Sequence, residues 1–357
     1  MLINGVDMLP GRAEYPRNQW YVAAFGFEVT REPMHRMLFG DPVVLYRTED
    51  GEPIALFDRC PHRGMRLSNG GKLIGDNIQC NYHGIQFGTN GRACLIPSGG
   101  APTSALSVRR YPLAEVRGWI WAWAGDPDLA DHALIPDHAQ LGLAAEGFHD
   151  YYGAVLEGQS NYLYSFENLV DATHITYLHH GLIDTGNVAA HSYRVEEEGN
   201  RVSMFREFEN EEIAPMVQLA MQLKGTRADR LLELTSYVPN VCIVRQVFTE
   251  TQFPDLPRRD NRLVFAITPA GPKSVYQFVA VAQTYENHHP GLFDDLRHLL
   301  MEDVIALNDV QKMFDLLEPD RVPEISVRSD EGAIRSRRLI AAMIAEERAL
   351  HTAQAAE

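Results

Sequence analysis

The chain has 357 residues, 45% of them apolar and 22% charged, a composition typical of soluble globular proteins and a length that suits two cores. A net charge of −16 argues against nucleic acid or an anionic membrane as partner, because both need a basic footprint. The chain has no apolar run of about 18 residues, and MLINGVDMLPGRAEYPRNQW carries no basic-then-apolar leader, so the cytoplasm is the expected compartment and Cys60, Cys80, Cys94 and Cys242 are expected to stay reduced.

Residues 18–57 read as short alternating strands, and 103–124 add two more around Arg117-Gly118. The stretch GDPDLADHALIPDHAQLG, rich in Pro, Asp and Gly, marks a boundary near residue 125. After a strand-like YYGAVLEG, the segment QSNYLYSFENLVDATHITYLHHGLID is apolar at Leu163, Phe166, Leu169 and Val170, which predicts a helix stopping at Gly181. Residues 191–285 alternate again as strands. GLFDDLRHLLMEDVIALNDVQKMFDLLE and a charged tail over 330–354 read as helices. The pattern predicts an α+β chain: an N-terminal antiparallel β domain over 1–125, a second domain over 126–330 with an antiparallel sheet covered by helices, and a helical tail over 331–357.

Within the first domain, CPHRGMRLSNGGKLIGDNIQCNYHG places Cys60-x-His62 and Cys80-x2-His83 on two short arms. Two thiolates and two imidazoles satisfy a tetrahedral zinc, but zinc fingers usually put both Cys on one arm and both His on the other. One Cys and one His per arm suit instead a two-iron cluster, with one iron held by both Cys and the other by both His. Gly64, Gly70, Gly71, Gly75 and Gly84 fit loops whose backbone approaches a cluster closely. A structural zinc site is the alternative. Cys94 and Cys242 read as buried small hydrophobes.

C-P-H-R followed by C-x-Y-H-G is similar to the Rieske domain of non-haem iron oxygenases. Asn18-Gln19-Trp20-Tyr21-Val22-Ala23-Ala24 and Trp119-Ile120-Trp121-Ala122-Trp123-Ala124-Gly125-Asp126-Pro127 resemble it too. Ile85 stands where that family often has Trp. Met65, Tyr82 and Ile85 occupy the places where respiratory Rieske proteins carry an extra Cys in each loop and a Ser, so the resemblance is to the soluble, lower-potential kind. It implies Cys60, His62, Cys80 and His83 as ligands of a [2Fe–2S] cluster.

The predicted helix after the boundary gathers Asn168, Asp171, His174, His179 and His180. At about 100° per residue Asp171 and His174 share a face, whereas His174 and His179 point roughly 140° apart, so chelation by both requires the helix to end or widen. Histidines at a helix C-terminus are also favourable there simply as cations. N-L-x-D-x-x-H-x4-H resembles the mononuclear-iron segment of the same oxygenase family. The resemblance implies His174 and His179 as ligands of a 2-His-1-carboxylate Fe(II) site open to O2, with Asn168 beside the iron and His180 a mere neighbour. It also implies Asp171 as an electron bridge to His83 of the partner subunit. Asp294, Asp295, Glu302, Asp303 and Asp309 compete for the carboxylate position. Glu302-Asp303-Val304-Ile305-Ala306-Leu307 resembles the E-D segment of the shorter family members, which selects Asp303; an ordinary acidic helix face is the alternative.

No Gly-rich dinucleotide fingerprint opens a βαβ unit, so electrons from NAD(P)H are expected through a separate flavin reductase, a ferredoxin, or both. The resemblance further implies a head-to-tail homotrimer in which the cluster of one copy serves the iron of the next. Chain length and the E-D segment resemble the single-subunit, vanillate/dicamba O-demethylase-like monooxygenases. The expected reaction is hydroxylation of a carbon next to O or N in a small aromatic substrate, that is O-demethylation or N-dealkylation with aldehyde release. Met216 and Phe265 lie in apolar segments expected to line the pocket, which favours a neutral substrate over an aromatic acid, although both also suit plain core positions. A contact between Arg245 and a substrate carboxylate would reverse that preference. Ring or side-chain hydroxylation is the alternative reaction, and a Rieske electron-transfer protein without oxygenase activity is the alternative of another class.

Overall fold

A computed structural model describes residues 2–317 and 323–354. The chain divides into two compact units, one of Arg17–Ile135 with Thr268–Gly271, the other of Met1–Pro16, Pro136–Ile267 and Pro272–Glu357.

The first unit is built from short strands: β1 (Trp20–Phe25), β2 (Met34–Leu38), β3 (Asp41–Arg47), β4 (Pro53–Phe57), β5 (Lys72–Ile74), β6 (Asn77–Gln79), β7 (Gln86–Phe87), β8 (Ala93–Leu95), β9 (Leu113–Val116) and β10 (Trp119–Trp123). They form sheets ordered β9-β10-β1, β2-β3-β4 and β8-β7-β6-β5. The β9–β10 hairpin turns on Arg117 and Gly118, both at positive φ, as a tight two-residue connection requires. Trp20, Trp119, Trp121 and Trp123 are all buried, and Val44, Tyr46, Ile54, Leu56, Ile78 and Phe87 form a core beneath the two cluster arms. Cys94 departs from expectation: it is exposed, because it lies on the edge strand β8 of the four-stranded sheet. Cys242 is fully buried, as expected.

The second unit contains one large antiparallel sheet. Its strands are β11 (His149–Gly158), β12 (Arg194–Glu198), β13 (Arg201–Glu212), β14 (Arg227–Tyr237), β15 (Val241–Glu250), β16 (Arg259–Gly271) and β17 (Ser274–Gln283), in the order β11-β17-β16-β15-β14-β13-β12. Besides a single turn at His138–Leu141, the helices are α1 (Tyr162–Asn168), α2 (Pro215–Ala220), α3 (Leu292–Leu316) and α4 (Glu331–Gln354). Leu156, Phe265 and Val279 of the sheet pack with Leu163 and Phe166 of α1, Leu300 and Val304 of α3, and Ile340 and Ile344 of α4. Burying such side chains stabilises by about 1.5–3 kcal/mol each, so the apolar faces of the helices fix where their polar residues point. No helix among the described residues is long and apolar enough to cross a membrane.

The helix predicted to run to Gly181 is broken. α1 ends at Asn168, and a separate 3-10 turn covers Thr173–Thr176. Between them the Asp171 carboxylate accepts from the Thr173 backbone N–H (2.7 Å) and from Thr173 Oγ1 (3.0 Å). A short acidic side chain thus takes a donor that a continuous helix would have used, and the chain changes direction.

Candidate functional site

The two Cys/His arms are built alike. Cys60 follows β4 and Cys80 follows β6. In each arm the Cys N–H donates to a carbonyl five residues on (Met65 O and Ile85 O, both 2.8 Å), and a glycine N–H returns to the Cys carbonyl (Gly64, 2.9 Å; Gly84, 3.0 Å). Both glycines sit at positive φ, where a side chain would be strained. A Cβ at Gly71 would lie 1.8 Å from the Leu67 carbonyl oxygen, so the loop joining the arms closes tightly. Asp58, fully buried, braces that loop by accepting from Ser68 N (2.8 Å), Ser68 Oγ (2.6 Å) and His35 Nδ1 (2.7 Å); sequence reading passed over it, although its place two residues before Cys60 is a hint.

The arms bring Cys60 and Cys80 together as buried free thiols and His62 and His83 together as exposed rings with centroids 4.6 Å apart. Burial pushes the Cys60 thiol up, against the pull of the His62 backbone N–H and with a further push from Cys80, so a metal has to draw off its proton to take it as thiolate. Two thiols on one side and two imidazoles on the other fit a Rieske cluster and do not resemble the closed tetrahedron of structural zinc.

In the second unit the broken helix carries His174 and His179, and α3 carries Asp303. One ligand atom from each lies within 4.8 Å of the others. Asp303 is buried on the apolar face of α3 with Leu299, Leu300 and Leu307, where an unpaired carboxylate would be costly. Its Oδ1 lies 3.2 Å from His179 Nε2 and 3.5 Å from His174 Nε2. His174 Nδ1 donates to the Asp171 carbonyl oxygen (2.6 Å), and His179 Nδ1 donates to Glu302 Oε2 (2.7 Å). Both partners only accept, so each neutral imidazole keeps its lone pair on the Nε2 that faces Asp303.

Two imidazole nitrogens and a carboxylate converging from one side fit a facial triad with open positions. Glu302 is therefore the residue that orients His179, not a rival for the carboxylate position. Burial lowers the His174 pKa, outweighing the Asp303 charge. Burial also pulls on His179, but hydrogen bonds and charges from Asp303 and Glu302 overcome it and raise that pKa. His180 is exposed and stands apart from the triad. Asp294 and Asp309 line neither the triad nor its cavity, and Asp295 pairs with His289 (2.7 Å) at the cavity wall.

The triad opens into a cavity of about 130 Å³ that is overwhelmingly apolar. That is close to the roughly 150 Å³ that admits benzene, so it suits one aromatic ring with small substituents. Asn168 and Asp171 line it, and so do both expected pocket residues, Met216 from α2 and Phe265 from β16. Arg245 does not line it; its guanidinium is held by Asp260 (2.6 Å) and Glu233 (3.0 Å). Polar wall residues that sequence reading missed are Arg230, Gln246, Asn261 and Gln283, each spaced by two along a strand from an apolar lining residue.

Comparison with known proteins agrees with this geometry. Residues 19–112 match the Rieske [2Fe-2S] domain, and residues 159–346 match the vanillate O-demethylase oxygenase C-terminal domain. The chain is 28% identical over 350 residues to the vanillate O-demethylase oxygenase subunit of Pseudomonas sp. (strain HR199 / DSM 7063), covering 93% of this chain and 96% of that one. It is 36% identical over 169 residues to the oxygenase component of chloroacetanilide N-alkylformylase from Rhizorhabdus wittichii (strain DC-6 / KACC 16600), 46% of each chain. Dicamba monooxygenase bound to 3,6-dichlorosalicylic acid superimposes with a TM-score of 0.84 at 26% identity, over 93% of this chain and 98% of that one. The same enzyme has been solved with non-haem iron and dicamba, with a TM-score of 0.76. A Rieske [2Fe–2S] cluster and a mononuclear non-haem iron are accordingly the cofactors, and the chain belongs to the Rieske non-haem iron oxygenases, as the oxygenase component of a system of the vanillate O-demethylase kind.

Proposed function

We propose that the protein hydroxylates a methyl or methylene carbon next to O or N in a small neutral aromatic substrate, so that the product collapses to a phenol or amine and an aldehyde. The observation that carries this reading is the convergence of His174, His179 and Asp303 on an apolar cavity of single-ring size. In this reading Cys60, His62, Cys80 and His83 hold the cluster, and His174, His179 and Asp303 hold the iron. The bound iron supplies reductive activation of O2.

The chain's own residues do the rest. Glu302 and the Asp171 carbonyl hold protons on the two Nδ1 atoms and aim both Nε2 atoms inward. Met216, Phe265, Leu263 and Val244 exclude water and press the ring toward the triad. For an aryl methyl ether the balance is one ether, O2, two electrons and two protons giving a phenol, formaldehyde and water. The electrons come from NAD(P)H through a reductase, with or without a ferredoxin. The route we infer runs from His83 of the partner subunit to Asp171 within a head-to-tail homotrimer. Asp171 supports this by lining the cavity while its carbonyl touches His174. A cytoplasmic setting is part of the same reading, since the four cluster ligands include thiols that must stay reduced.

The capture of Arg245 by Asp260 and Glu233 supports a neutral substrate. The test is a reductase-coupled screen of methoxylated and N-alkylated aromatics, neutral and carboxylated, scored for aldehyde. Aldehyde from neutral members is expected. Two irons per chain without O2 uptake would reduce the protein to an electron carrier, and turnover of the acids alone would overturn the substrate class.

A further inference from the structure

On the sheet side of the cavity an apolar row is followed by a row that carries two amides. Leu263 lies opposite Val244, and Val244 opposite Leu234, whereas the next inward-facing row is Leu232, Gln246 and Asn261. Phe265 belongs to the same apolar cluster as Leu300 and Val304, which flank Asp303 on α3, and we take its end of the row as the metal end. Asn261 stands four residues further along the same strand, about 13 Å of extended chain away.

Backbone geometry fixes how the Asn261 amide is turned. Gln283 Nε2 donates to the Tyr285 carbonyl oxygen (3.1 Å), an atom that only accepts, so Gln283 must present Oε1 to its other neighbour. That neighbour is Asn261, whose Nδ2 donates to it (3.1 Å). The Tyr285 hydroxyl oxygen also meets the Asn261 amide, but its own proton is directed at the Ala220 carbonyl (3.3 Å) and the Met221 sulfur (3.0 Å). Asn261 Oδ1 is left buried with no hydrogen-bond partner among the described residues, on a side chain that is 5% exposed and lines the cavity. A buried acceptor without a donor is unfavourable until something supplies one.

The other polar groups of the wall narrow what that something is. Gln246, opposite Asn261, turns Oε1 toward Arg230 Nη1 (3.4 Å), so it has N–H to offer. Arg230 is engaged by Glu211 (2.8 and 2.9 Å), with Asp184 adding further negative charge, which leaves no spare cation for a carboxylate. His289 and Asp295 satisfy one another (2.7 Å).

We propose that Asn261 and Gln246 together recognise a phenolic hydroxyl, which donates to Asn261 Oδ1 and accepts from the Gln246 amide. The substrate is then an alkoxyphenol or N-alkylaminophenol, seated with its hydroxyl away from the metal end and its alkyl group toward it. This rests on the cavity being the substrate site of the oxygenase described above.

The test is calorimetric titration of the full-length, iron-loaded protein, without reductant, using the isomeric methoxyphenols and their matched dimethoxybenzenes. At least one methoxyphenol is expected to bind about tenfold more tightly than its counterpart, and Asn261→Leu is expected to erase that difference. Equal affinities in every pair, no binding by any methoxyphenol, or a preference that survives Asn261→Leu would each overturn the proposal. Should Asn261→Leu fail to fold, Gln246→Met leaves the Gln283 bond intact; it should cut the preference several-fold, and an unchanged preference counts against the proposal. Preferred binding of a methoxyphenol that releases no formaldehyde with reductase present would leave this recognition standing and sink the O-demethylation reading.

Discussion

Glu302 and Asp303 are neighbours in the chain, yet they do different work. Asp303 turns inward with Leu299, Leu300 and Leu307, while Glu302, one-third exposed, reaches the outer nitrogen of His179. A carboxylate on the far ring nitrogen sets the tautomer and strengthens the inner nitrogen as a ligand, an effect worth about 10–100-fold in metal affinity elsewhere. Glu302→Gln should therefore weaken mononuclear iron binding by about that factor while the cluster stays in place. Iron retention on dialysis against a chelator, with the visible spectrum of the cluster as internal reference, measures it. Equal iron retention by Glu302→Gln and the unmodified chain would mean that Glu302 is only a surface partner. The E-D pair was legible in the sequence as a candidate, but its division of labour was not, because it depends on which way each side chain leaves α3.

Strands and long helices followed from alternation and 3.6-residue periodicity: the β9–β10 hairpin, the seven large strands, α3 and α4 fall where the residue pattern puts them. The failures share a physical cause. The two- and three-residue strands β5–β8 are too short to show a period, and the break after Asn168 is made by one side chain, Asp171, which periodicity does not register. Asn261 escaped notice for a related reason, since a polar residue on an inward strand position contradicts the pattern that identifies the strand. Ties between elements are equally invisible in sequence. Arg47 of β3 grips Glu115 of β9 with two bonds of 2.7 and 2.8 Å, although 68 residues separate them. The Arg47 hydrogen bonds hold Glu115 below the usual carboxylate range, against the opposing effect of burial. A depressed acid stabilises the fold above its unfolded pKa, near 4.3, and loses that contribution as pH falls through the depressed folded value. Because the pair is partly exposed and screened, Glu115→Gln should cost about 0.5–1 kcal/mol at neutral pH and progressively less in acid. Urea unfolding midpoints of the two proteins should converge once the pH has fallen through the depressed folded value; a gap that persists in acid strong enough to protonate Glu115 in both states would show that the loss is one of packing.

The net charge of −16 is unevenly placed. Residues 17–135 balance 12 Lys and Arg against 12 Asp and Glu, so the excess acid belongs to the rest of the chain. Exposed Arg59, Arg63 and Arg66 lie in the same arm as the exposed His62. In the proposed head-to-tail ring this arm would meet the acidic unit of another copy, where opposite charges attract. Such attraction is screened as the Debye length falls from about 10 Å at 0.1 M salt to about 3 Å at 1 M. If the proposed ring forms, sedimentation velocity should find a trimer at low salt and a shift toward monomer at high salt. Reversing Arg63 and Arg66 to Glu should produce that shift at low salt and lower reductase-driven turnover, yet leave about three irons per chain, two in the cluster and one in the triad. Loss of turnover with iron intact would tie electron delivery to assembly, as the route through Asp171 requires. A monomer that turns over at full rate at every salt concentration would place both metals within reach of each other in one copy, and would remove the need for a ring.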